Sequence, residues 1–124
     1  MITTVSLQRN RDFQRVYRNG KYKAARYLVI YAYKNRLSYN RLGIAAGKKF
    51  GNSVQRNRVK RLIRENYRLL ESKYAVGYDI VIMARASVRQ ASAPNNRLKA
   101  VYVPSFEEIK KELVKLSAGL GLFL

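Results

Sequence analysis

Residues 52–68, NSVQRNRVKRLIRENYR, constrain this chain more than any other stretch. Six Arg or Lys share it with a single acid, Glu65. Projected at 3.6 residues per turn, Val59, Leu62, Ile63, Tyr67 and Leu70 fall on one side. Arg61, Arg64 and Arg68 fall opposite, with Asn57 and Lys60 beside them and Arg56 and Arg58 at the margins. A helix of this kind needs a core beneath its apolar side and a polyanion above its guanidinium stripe. Nucleic acid is the polyanion that fits.

The rest of the chain agrees with that demand. At 124 residues and 48% apolar it is expected to fold as one domain, residues 1–124, with a real core. Lys and Arg number 26 against 7 Asp and Glu, a net +19, which is costly in self-repulsion without an anionic partner. The basic residues run from Arg9 to Lys115 without long blocks, as on a folded surface rather than a tail. Cysteine and histidine are both absent, which excludes disulfide scaffolds, thiolate metal sites and His-based catalysis. MITTVSLQRN lacks the pattern of a secretory signal, and no apolar run approaches the ~20 residues that span a bilayer. A cytoplasmic protein is expected, with no membrane partner.

A coarse reading gives the order α-β-β-α-β-α, in the α+β class. Residues 6–18 read as a helix that Ser6 caps, with Leu7, Phe13, Val16 and Tyr17 near one face and Asn19-Gly20 as its stop. RYLVIYAY, residues 26–33, reads as a strand: Tyr27, Val29, Tyr31 and Tyr33 alternate with Leu28, Ile30 and Ala32. A second strand, 41–46, is expected to pair with it as an antiparallel hairpin. Asn52 or Ser53 caps the basic helix, and YDIVIMA, 78–84, reads as a buried central strand. Pro94-Asn95-Asn96 is an expected turn, and Pro104-Ser105 opens a last helix with Glu107 and Glu108 in its first turn.

Guanidinium forks bind phosphate bidentately and stack on bases, and Asn57 can read a base edge or a 2′-hydroxyl. Arg56, Asn57, Arg58, Lys60, Arg61, Arg64 and Arg68 are therefore the candidate RNA contacts, with Lys48 and Lys49 as two further phosphate contacts. The Gly-Lys-Ser/Thr order of a nucleotide loop is missing there. The tyrosine face of the first strand reads either as stacking platforms for unpaired bases or as core with hydroxyls at the rim. The seven carboxylates make no constellation able to cleave a substrate or hold two metals. Glu107, Glu108 and Glu112 are spaced for ordinary pairing with Lys111 and Lys115, and the C-terminal LSAGLGLFL reads as a docked tail.

Arg56-Asn57-Arg58-Val59-Lys60-Arg61 with Arg64, inside RLGIAAGKKFGNSVQRNRVKRLIRE, resembles the RNR signature of the protein component of bacterial ribonuclease P. RDFQRVYRNGK, RYLVIYAY and YDIVIMAR resemble that family's first helix, first strand and later strand, so the likeness covers roughly residues 6–116. The resemblance implies a small α-β sandwich like the second domain of ribosomal protein S5, with a left-handed βαβ crossover. It implies two partners, the catalytic RNA on the RNR helix and precursor tRNA, whose 5′ leader lies in a cleft lined by Phe13, Tyr17 and Tyr31. Lys48 and Lys49 would sit near the rim of that cleft. The RNA performs hydrolysis with Mg²⁺, and the protein itself needs no catalytic residue, metal or small-molecule cofactor.

The main alternative is a non-catalytic, ribosomal-protein-like structural RNA-binding protein that uses the same helix. A cationic membrane-surface protein is a third, disfavoured by the interleaved core pattern.

Overall fold

The computed structural model describes residues 3–86 and 102–124. Along them run β1 (Val5–Ser6), α1 (Asn10–Asn19), β2 (Lys21–Ala24), β3 (Leu28–Lys34), β4 (Arg41–Ala46), α2 (Ser53–Leu70), β5 (Tyr78–Ala84) and α3 (Phe106–Gly119). The strands form one mixed sheet in the order β1-β4-β5-β3-β2. Helices α2 and α3 cover one face of this α+β arrangement and α1 lies on the other. The expected turn at Pro94-Asn95-Asn96 lies outside the described residues.

β5 is central because almost every side chain in it is apolar: Ile80, Val81 and Ile82 are all fully buried, so both faces demand cover. On the α2–α3 side, Leu28, Ile30, Leu42, Ile80 and Ile82 meet Val59, Ile63, Tyr67, Ile109 and Leu113 in the main core. Tyr67 and Phe50 are its largest fully buried side chains. On the α1 side a smaller cluster joins Leu7, Val16 and Val81, with Phe13, Tyr17, Tyr31 and Tyr33 packed against it. The C-terminal tail docks as expected: Leu122 is buried, Ala75 donates its N–H to Leu122 O, and Phe123 meets Tyr74 edge-on at 4.9 Å.

Several sequence expectations need correction. β3 and β4 do not form a hairpin; β5 lies between them, antiparallel to β3 and parallel to β4. The connection at 35–40 is held away from a tight turn by two asparagines. Asn35 donates to Asp79, while Asn40 donates to Ala75 O and accepts from the Tyr78 N–H, so the loop is fastened across the start of β5. Ser6 caps no helix. It belongs to β1, which runs parallel to β4, and α1 begins only at Asn10, preceded by Arg9 without a side-chain cap. KYKA forms an unforeseen edge strand, β2, antiparallel to β3. Gly20 ends α1, and a Cβ there would lie 2.6 Å from Val16 O and 2.8 Å from Ala32 O, so a side chain would force helix and sheet apart.

The carboxylates of α3 also differ from expectation, making no ion pair with Lys111 or Lys115 among the described residues. Glu112 instead accepts from the Tyr27 and Leu28 N–H groups, both at 2.9 Å, satisfying the backbone where β3 begins. Glu108 and Ser105 form a capping box, and Glu108 also accepts from the Tyr102 hydroxyl. The Tyr102 hydroxyl, and then the Ser105 N–H, hold the Glu108 carboxyl down at about 2. A depressed carboxyl stabilises the fold above its ordinary pKa and loses that contribution as pH falls. The cap is therefore fully effective above pH 4.5 and lost between there and about pH 2. Across that window, urea midpoints of the wild type and of Glu108→Gln are expected to converge. Parallel curves would mean that the carboxylate contributes nothing to the cap.

Candidate nucleic-acid interface

Helix α2 starts at an Asn52–Gln55 capping box, with Asn52 Oδ1 accepting from the Gln55 N–H at 2.9 Å. Val59, Ile63, Tyr67 and Leu70 face the core and Leu62 packs at its margin, as the 3.6-residue period dictates. Asn57, Arg58, Arg61, Arg64 and Arg68 are exposed, while Arg56 and Lys60 are half-buried. None of these cations forms an ion pair among the described residues. Val54, Asn57, Arg58, Lys60, Arg61 and Arg64 line an open groove of about 600 Å³ along the helix. An unpaired guanidinium array of this kind is an electrostatic platform for a phosphate backbone.

Four of the seven acids are committed elsewhere. Asp79 is fully buried and takes Arg41 in two bonds, 2.8 Å from Nε and 2.6 Å from Nη2, with Asn35 as a third donor. Arg41 reaches on to Asp12 of α1 at 3.9 Å, and Arg15 approaches Asp12 at 3.6 Å. Glu108 and Glu112 serve the backbone, as described above. Among the described residues no three carboxylates come together as metal ligands.

The second surface lies where α1 crosses the sheet. Strand alternation and register set side by side Gly43, Val81, Tyr31 and Tyr22 on the α1 side. The next row on that side is Ala45, Met83, Val29 and Ala24, none of it fully buried, so an apolar floor extends beyond the helix. Phe13 and Tyr17 of α1 overhang the first row: ring centroids lie 6.4 Å apart for Phe13–Tyr17 and 4.9 Å for Tyr17–Tyr31. Burial, and then Tyr31, push the Tyr17 hydroxyl up, so the ring remains neutral beside any anion. The three residues Phe13, Tyr17 and Tyr31 therefore come together as one half-buried aromatic wall. Tyr27 does not share this face. It precedes β3 and sits in the main core against Tyr102, at 5.6 Å.

Gly43 makes that wall possible. A Cβ on it would lie 2.5 Å from the Phe13 ring, so only glycine lets the ring rest on β4. Gly43→Val is expected to overpack the site, at a cost of about 1–3 kcal/mol in urea unfolding, with Gly43→Ala milder. Unchanged stability in both variants would show that Phe13 does not rest there.

β4 carries Gly43 and Ala45 into this cleft and then leads through a basic turn, Lys48–Phe50, to α2. Lys49 is exposed at the turn and Phe50 anchors it in the core; the Lys48 side chain lies outside the described part. The two surfaces thus meet at the end of one strand. Sequence reasoning missed Gly43, Tyr22 and the Arg41–Asp79 pair. The alternation of KYKA was the available signal for Tyr22, whereas the others depend on long-range register.

Comparison with known proteins decides the family. The family model described as Ribonuclease P matches residues 1–119. The chain belongs to the ribonuclease P protein family. It is 52% identical over 118 residues to the ribonuclease P protein component of Clostridium botulinum (strain Loch Maree / Type A3), covering 94% of this chain and 95% of that one. It is 49% identical over 90 residues to the corresponding protein of Clostridioides difficile (strain 630), covering 72% and 79%. Its fold is similar to that of the Staphylococcus aureus RNase P protein, with a TM-score of 0.75 and 32% identity over 96% of this chain and 97% of that one. The chain is thus a subunit of the bacterial RNase P endoribonuclease, a ribonucleoprotein whose role is tRNA 5′ processing, and its RNA partner is the RNase P RNA. No described helix is long and apolar enough to cross a membrane.

Proposed function

We propose that this subunit divides its RNA binding between two surfaces. Arg56, Asn57, Arg58, Lys60, Arg61, Arg64 and Arg68 of α2, joined by Lys48 and Lys49, contact the RNase P RNA. The cleft under α1, lined by Phe13, Tyr17 and Tyr31, takes the single-stranded 5′ leader of precursor tRNA. The unit is a single ribonuclease P protein domain, residues 1–124, working in the cytoplasm.

The observation that carries this reading is the pairing of an unneutralised cationic helix with an open, aromatic-walled sheet face. Phosphates answer the first, and unpaired bases answer the second. Hydrolysis falls to the RNA, with Mg²⁺ held on the RNA side. The donor chemistry supports that division, since Asp12, Asp79, Glu108 and Glu112 are engaged in holding the fold together. The protein's contribution is neutralisation: cations on α2 reduce the repulsion between two RNAs and so lower the Mg²⁺ that cleavage requires.

Tyr31→Ala tests the leader assignment. In a folded holoenzyme it is expected to weaken leader-bearing precursor by about 1–3 kcal/mol and to leave mature tRNA binding unchanged. Equal affinity for precursor in wild type and variant would remove the cleft from the account.

A further inference from the structure

We propose that Tyr22 provides an additional stacking site, for one unpaired nucleobase, at the outer end of the aromatic wall. The proposal rests on the reading of the α1 cleft as the leader site, and extends it by one position.

Tyr22 stands on the edge strand β2, directly opposite Tyr31 in the antiparallel register and on the α1 side of the sheet. The rings lie 5.5 Å apart and 33° from parallel, so Tyr22 continues the series Phe13, Tyr17, Tyr31. The inner three are half-buried, whereas Tyr22 is 64% exposed. Among the described residues no strand lies beyond β2, and most of the Tyr22 side chain is open to solvent. A base inserted between two rings needs about 7 Å, twice the 3.4 Å stacking distance. The 5.5 Å gap therefore admits none, and the outer side of Tyr22 is the one left for a base.

A fold has little use for so exposed a ring at a sheet edge. Edge strands are protected by charge, which Lys21 and Lys23 on either side already supply. The Tyr22 hydroxyl makes no hydrogen bond among the described residues. Stacking on such a ring is tolerant of sequence, because every base presents a π-face.

The test uses the holoenzyme reconstituted with a bacterial RNase P RNA and precursor tRNAs whose leaders are shortened one nucleotide at a time. Tyr22→Ala, with Tyr22→Thr as a second variant that keeps strand propensity, is expected to weaken long-leader precursor about fivefold. The penalty disappears at a longer leader length than does that of Tyr31→Ala, and Tyr22→Phe binds like the wild type. If both Tyr22 variants match the wild type at every length while Tyr31→Ala is impaired, the outer site is wrong and the cleft stands. If the two penalties vanish at the same length, Tyr22 only supports Tyr31 and the proposal fails. If no variant is impaired, the leader cleft itself is misassigned.

Discussion

Replacing Arg58, Arg61 and Arg64 together by glutamine is expected to weaken binding to the RNase P RNA about a thousandfold while leaving the fold intact. All three side chains are exposed on α2, and none has an ion-pair or hydrogen-bond partner among the described residues, so no described polar contact of the fold is lost with them. Charge-assisted hydrogen bonds contribute about 1.5–3 kcal/mol each, and three at the low end give this factor. The salt dependence carries the sharper signature. Each phosphate contact removed should lower the slope of log K against log salt by about one, so the triple variant should lose about three. An affinity loss with an unchanged slope would mean that these residues act on something other than phosphate.

Arg41→Ala is expected to be the most damaging single change to stability. It would leave Asp79, fully buried, with Asn35 as its remaining described donor. Breaking a buried pair from one side costs about 3–5 kcal/mol, and the partial exposure of Arg41 argues for the lower end. Because Arg41 also reaches Asp12, the change should loosen α1 from β4 and carry Phe13 with it. The double variant Arg41→Met, Asp79→Asn removes both charges and should recover much of the loss in urea unfolding. A single variant within 1 kcal/mol of the wild type, by the same measurement, would contradict this role.

The elements that were legible from sequence are those whose own side chains decide their environment. Helix α2 is the clearest, because Val59, Ile63, Tyr67 and Leu70 repeat at helical spacing and the arginines fill the other side. β5 announced its central place through Ile80, Val81 and Ile82, and β3 through its alternation from Leu28 to Tyr33. What escaped depends on partners distant in sequence. β3 and β4 run in opposite directions but are separated by a strand that lies later in the chain, and no local signal marks that insertion. The Arg41–Asp79 pair spans 38 residues and exists only because β4 and β5 are in register there. β2 is wholly exposed and only four residues long, so the brief alternation in KYKA did not stand out as a strand. The residues of the cationic stripe were nonetheless readable as a set, since a helix face can be drawn without knowing the fold. The cleft was readable only in part: Phe13, Tyr17 and Tyr31 came through resemblance, whereas Gly43, which seats Phe13, emerged from the packing.

The most direct measurement is cleavage of precursor tRNA by a bacterial RNase P RNA at low Mg²⁺, with and without this protein. Cleavage at the mature 5′ end is expected to depend on the wild-type protein and to fail with the glutamine variant of α2. No stimulation by folded protein, with the same RNA active alone at high Mg²⁺, would contradict that dependence.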